Sequence, residues 1–205
     1  MQSAKVHFEQ NIIRVKNLGT IYESINLQTT PSLDLSDILR AQYVMLVSAL
    51  DHFIHELVRF GMIEIYNKNR KETKKFQEFI FSTEKDILFK KAIMEEKSDV
   101  WLNHQIRYRN GFKSFQEADK IQEAMLLIID TDIWKEVADN LDNDISQIKR
   151  RLNLIIDRRN QISHEADIEP TYQELRTIYI DDVQDSILFI ESLVEVIFNF
   201  CNKRN

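Results

Sequence analysis

The chain has 205 residues, enough for one domain with a sizeable core or two tight ones, yet it carries only three Gly and two Pro. Strand-rich folds need frequent turn residues, so this scarcity argues against them and for long helices joined by few loops. A net charge of −6 gives no overall signal of nucleic-acid binding, and the single Cys201 excludes an internal disulfide framework or thiolate metal cluster within one chain.

No apolar run is long enough to span a bilayer, and Met1–His7 lacks the apolar core of a signal peptide. The expectation is a cytoplasmic helical protein without membrane contact. From about Ser3 to Ile25, Val6, Ile12, Ile13, Val15, Leu18, Ile21, Tyr22 and Ile25 recur at helical spacing. Asn26–Ser36 is polar, holds Pro31, and offers Ser32, Asp34 and Ser36 as caps, so it reads as a loop. A long helix is predicted over Asp37–Asn67. Its apolar residues, Leu39, Tyr43, Leu46, Val47, Leu50, Phe53, Ile54, Leu57 and Val58, cover so much of the circumference that it belongs at the bundle's centre. Gly61 within it marks a candidate bend.

Lys68–Lys75 is basic and leads to a short helical segment, then to a helix starting near Ser82 or Thr83. Val100–Phe115 reads as the least regular region. Ser114-Phe115-Gln116 precedes a helix with Glu117 and Asp119 in its first turn, and Thr131 or Asp132 caps the segment carrying Trp134. Asp142–Asp144 opens a strong helix running to about Ser163, Glu169-Pro170 interrupts, and a last helix covers about Asp181 to Cys201. Without repeats or low-complexity linkers, 1–205 reads as one all-α domain: a four-helix core with additional short helices, and 68–115 as an elaboration on it.

Charge is unevenly spread. Lys68, Arg70, Lys71, Lys74 and Lys75 form one basic cluster, and Arg107, Arg109 and Lys113 a second. Lys149, Arg150, Arg151, Arg158 and Arg159 form a third, opposed only by Asp157. Each reads first as a solvated helix face.

The third cluster abuts an anomaly. Ile145, Ile148, Leu152, Ile155 and Ile156 set a buried row, and its continuation lands on Arg159 rather than on a hydrophobe. Such breaks of pattern occur at functional or strained sites. Here Arg159 either snorkels to the rim, pairs with a core carboxylate such as Asp51, or awaits a ligand. Asn160 and His164, four apart, share one helix face. Arg159 and His164, five apart, lie about 140° around a regular helix. They converge only if the helix ends between them or two copies of the segment face each other.

The Arg159–His164 segment, Arg-Asn-Gln-Ile-Ser-His, resembles the Arg-x-x-x-x-His motif of the HEPN superfamily (higher eukaryote and prokaryote nucleotide-binding domain). The stretch Val47–Leu57 and the Lys113-Ser114-Phe115-Gln116 segment resemble its RiboL-PSP-HEPN branch. The resemblance implies a HEPN-like helical bundle that forms a homodimer with two motifs lining one cleft. It implies metal-independent endoribonuclease activity without a cofactor, on RNA, in toxin or antiviral systems with an antitoxin or defence-system partner. In that reading Arg159, Asn160 and His164 are catalytic, Arg150, Arg151 and Arg158 hold flanking phosphates, and Asp51 supports Arg159. The residue types suit the chemistry. Attack by a ribose 2′-hydroxyl needs a proton removed and another supplied, which imidazole can do near neutral pH. Charge on the phosphate oxygens calls for a planar, permanently charged guanidinium.

One departure is plain: members modified by a nucleotidyltransferase carry Tyr two residues after the His, and here that position is Ala166. The rival reading is a non-catalytic HEPN-like nucleotide-binding or interaction module. Asp51, His52, His55 and Glu56 have ligand-type spacing on one helix, but no second ligand pair of that quality accompanies them, so no metal site is assigned. His104 could touch RNA or be an ordinary surface residue. Trp101 and Trp134 read as packing anchors.

Overall fold

Two long helices open the chain. In the computed structural model, which describes residues 1–28, 33–80, 90, 91, 94, 95 and 98–203, α1 is Gln2–Asn26 and α2 is Ser36–Tyr66. Asp34 Oδ1 accepts from Ser36 N (2.9 Å) where α2 begins. Pro31, Ser32 and the helix start expected at Ser82–Asp86 lie outside the described residues.

α1 buries Ala4, Phe8, Ile12 and Val15, a stripe at steps of three and four, against α2. Leu46, Val47, Leu50, Phe53, Ile54, Leu57 and Val58 of α2 are all fully buried. Each such aliphatic or aromatic side chain contributes about 1.5–3 kcal/mol by leaving water. α2 is thus the central helix its sequence predicts, packing on α1 and on four helices introduced below. Gly61 serves spacing: a Cβ there would lie 2.6 Å from Ile128 Cγ2, so the close approach needs glycine.

A turn with Lys68 at φ 59 leads to α3 (Lys74–Ile80), where the Thr73 hydroxyl accepts from Phe76 N (3.0 Å). Arg70 of the first basic cluster is buried, donating to Glu64 (3.0 Å) and to the Cys201 carbonyl (2.8 Å). The expectation of irregularity at Val100–Phe115 fails, because α4 spans Ser98–Asn110. Its apolar stripe is thin: Leu102 and Ile106, four apart, enter the same hydrophobic cluster as α2.

Next come α5 (Ala118–Met125) and α6 (Ile133–Leu141). Asp132 caps α6 by accepting from Trp134 N (3.0 Å), and the fully buried indole donates to the Ala118 carbonyl (3.0 Å). Asp142, left-handed at φ 48, ends α6, and α7 runs Ile145–His164. A two-residue hairpin follows, unforeseen in the sequence: β1 (Ile168–Glu169) pairs antiparallel with β2 (Glu174–Leu175), Ile168 opposite Leu175. α8 (Ile180–Lys203) buries Val183, Ile187, Ile190, Val194 and Ile197, again at steps of three and four. The helices around α2 are α1, α4, α5, α7 and α8, with α6 packed on α5, α7 and α8. Eight helices and this hairpin make up the described architecture, a mostly helical bundle.

Candidate active site

α7 places the motif. Ile148, Leu152, Ile155 and Ile156 are buried, and the next position on that row, Arg159, is half-buried. Its Nη2 donates to Gln116 Oε1, while its Nε–H is shielded from solvent and has no acceptor among the described residues. Gln116 is itself 9% exposed and sits two residues before α5.

The turn carrying Gln116 is held from two sides. Asp51 Oδ1 on α2 accepts from Phe115 N at 2.5 Å. One turn along α2, His55 Nε2 lies 3.1 Å from the Lys113 carbonyl, and its ring packs 4.4 Å from that of Phe115. From α7, Asn153 Oδ1 accepts from Ala118 N (3.5 Å). Of the alternatives open for Arg159, direct pairing with Asp51 is not the one found. Asp51 reaches the turn, and Gln116 on that turn reaches the guanidinium.

Arg158, expected to hold RNA phosphate, is instead committed inward. Both of its Nη atoms donate to Asp167, and Nη2 also to the Thr177 carbonyl (3.2 Å). Asp167 is fully buried and accepts as well from Arg40 Nε at 2.7 Å. Ala166 and Asp167 adopt φ 51 and 58, a left-handed conformation costing roughly 1–2 kcal/mol per non-glycine residue. Backbone bonds from Asp167 N to the Gln161 carbonyl (2.9 Å) and from Arg176 N to the Asp167 carbonyl (2.8 Å) hold the turn alongside the two guanidinium groups. The chain thus leaves α7 immediately after His164 through a braced corner.

The other expected residues fall on the outside. His164 is exposed and Asn160 half-buried, and neither side chain has a polar partner among the described residues. Arg150 is exposed and likewise unpaired there. Arg151 pairs with the exposed Asp185 (2.5 Å) and lies 4.5 Å from the centre of the Phe189 ring. α7 stays helical through His164, so within one chain Arg159 and His164 diverge by about 140°.

Sequence reasoning missed Gln116, Asp167 and Arg40. Gln116 had one signal, its place in the Lys113–Gln116 segment that resembles the family. Asp167 and Arg40 had none, since their pairing spans 127 positions.

A mostly helical bundle that ends a core helix on Arg-x-x-x-x-His, with the arginine held at the core's edge, is consistent with a HEPN-type domain. The RiboL-PSP-HEPN family model matches residues 9–203, nearly the whole chain, and the protein belongs to that family, which is associated with ribonuclease activity. No curated protein and no solved structure matches the chain. No helix among the described residues is long and apolar enough to cross a membrane.

Proposed function

We propose that the protein is a metal-independent endoribonuclease, acting in the cytoplasm as a homodimer, in a toxin or antiviral role restrained by an antitoxin or another defence-system partner. The observation that carries the reading is the state of Arg159. Its guanidinium is held by the neutral amide of Gln116 and has no carboxylate partner among the described residues. A phosphodiester oxygen is the acceptor that such a group suits, since charge-assisted, forked hydrogen bonds are about twice as strong as neutral ones.

Because α7 does not end between Arg159 and His164, a second copy of the segment is the arrangement left for bringing both residue types to one phosphate. In that cleft one His164 imidazole removes the proton of a ribose 2′-hydroxyl, and its oxygen attacks the adjacent phosphorus. Arg159 takes the developing charge on the non-bridging oxygens. The bond to the 5′-oxygen breaks, and the partner's His164, in its imidazolium form, protonates the leaving oxygen. The products are a 2′,3′-cyclic phosphate and a 5′-hydroxyl. Asn160 orients His164 or hydrogen-bonds the phosphate. Arg150 and Arg151 hold flanking phosphates; the exposed Arg151–Asp185 pair is worth at most about 1 kcal/mol and yields readily to one. Arg158 and Asp51 act through the corner and the turn that they brace.

The test is cleavage of labelled RNA in EDTA by the wild type and by His164→Ala. Cutting by the wild type alone, with cyclic-phosphate ends, is expected. Equal cutting by the variant removes His164 from the mechanism. RNA bound but never cut is the behaviour of a non-catalytic module.

A further inference from the structure

The Gln116 amide has a second end. A guanidinium N–H needs an acceptor, so the amide turns its oxygen toward Arg159 Nη2. Reversed, its own N–H groups would oppose those of the arginine. The amide nitrogen, Nε2, is therefore directed away from Arg159. It makes no hydrogen bond among the described residues, although Gln116 is only 9% exposed. Side-chain nitrogens on residues buried to that degree ordinarily find an acceptor.

Access separates the unpaired donors of this site. Arg159 Nε is closed to solvent, so no incoming group reaches it. Gln116 Nε2 and Arg159 Nη1 are likewise unpaired among the described residues, but both keep some surface in contact with solvent. The bond from Nη2 to Oε1 ties their two planar groups together. One neutral and one cationic donor thus stand side by side at the end of the buried row of α7.

The amide is also placed in advance. Asp51 and His55 of α2 hold the backbone of the 113–116 turn, and Asn153 of α7 holds the start of α5 just beyond it. A glutamine side chain loses rotamer freedom when it is fixed, and here folding has already fixed it. Donors ordered before the reaction and aimed where charge develops stabilise a transition state without reorganising. Two adjacent donors, one of them cationic, suit an anion with two oxygens on one centre. A neutral carbonyl would leave the guanidinium charge unanswered. In the reaction proposed above, the matching acceptor is the scissile phosphate, whose two non-bridging oxygens gain charge together.

We propose that Gln116 is a catalytic residue, whose Nε2–H donates to one non-bridging oxygen of the scissile phosphate while Arg159 Nη1 donates to the other. The proposal rests on the reading of the protein as a ribonuclease and adds to it a donor from outside the Arg159–His164 motif. The amide transfers no proton. It shares with Arg159 the charge that builds on the phosphate, and His164 keeps the acid–base work.

The test is cleavage by the full chain, in EDTA, of an RNA whose cut site has been mapped with the wild type. That site carries the natural phosphate or one of the two phosphorothioate diastereomers, in which sulfur, a poor hydrogen-bond acceptor, replaces a single non-bridging oxygen. Gln116→Met removes both polar atoms. Gln116→Glu keeps the shape and an acceptor for Arg159 but has no N–H, so it carries the comparison alone if Gln116→Met fails to fold. On the natural phosphate both variants are expected to lower kcat about 10- to 100-fold with KM within about twofold. The wild type should cut each diastereomer more slowly than the natural phosphate. In the variants that penalty should vanish for one diastereomer, the same in both, and persist for the other, because the donor facing that sulfur is already gone. A residue that only positions Arg159 would slow all three substrates by one common factor. That result overturns the proposal, while cleavage by the wild type leaves the nuclease reading standing. A wild type that cuts no RNA overturns both.

Discussion

Arg158 and Arg159 are neighbours on one helix, and their surroundings give them opposite roles. Arg158 shares the fully buried Asp167 with Arg40, and Arg40 also reaches the Asp37 carboxylate (3.4 Å), so both arginines meet carboxylates within the fold. Arg159 is held by an uncharged amide and has no carboxylate partner among the described residues. A carboxylate partner makes a buried arginine part of the scaffold, whereas an amide partner fixes its position and leaves its field for a ligand. Removing one partner of a buried ion pair costs about 3–5 kcal/mol, while a hydrogen bond between a charged group and a neutral one is worth about 1.5–3 kcal/mol, so the two positions differ in stability as well as in chemistry.

The comparison breaks most visibly at Asp167. Asp167→Ala strands Arg40 and Arg158 in a buried corner and puts alanine in a left-handed conformation. A loss of about 3–5 kcal/mol is expected, seen as a drop in thermal midpoint on the order of 10 °C. Asp167→Asn should fall between this variant and the wild type, since it removes the charge and keeps the shape. Unchanged melting of Asp167→Ala would show that the corner does not depend on the arginine clamp.

Gln116→Glu sharpens the contrast by giving Arg159 the kind of partner that Arg158 has. Its expected effect on stability is small. Cleavage should fall about 10- to 100-fold in kcat/KM, because roughly 1.4–2.8 kcal/mol of charge stabilisation is withdrawn from the phosphate. A variant as active as the wild type would mean that the charge of Arg159 is not used.

The sequence made one of these arginines visible and hid the other's role. Arg159 stands out because Ile148, Leu152, Ile155 and Ile156 set a row that it interrupts. The fate of Arg158 depends on a turn at Ala166 and Asp167, where neither glycine nor asparagine announces the left-handed conformation. The central helix was legible for the same reason as Arg159: α2 is apolar around most of its circumference. α4 was hidden because two core contacts, Leu102 and Ile106, lie among arginines, asparagines and a histidine whose pattern looks irregular. Gly61 was visible as a glycine, but its purpose was not, because Ile128 is brought against it only by the packing of distant segments.

The central claim is that Arg159 and His164 act on one phosphate only when two copies meet, since α7 keeps them apart within a chain. The most direct measurement is RNA-cleaving activity per protomer over a dilution series, with the oligomeric state followed in parallel by sedimentation. Specific activity should fall as dimers dissociate and recover on reconcentration. Activity per protomer that stays constant through dilution into monomers would contradict the account.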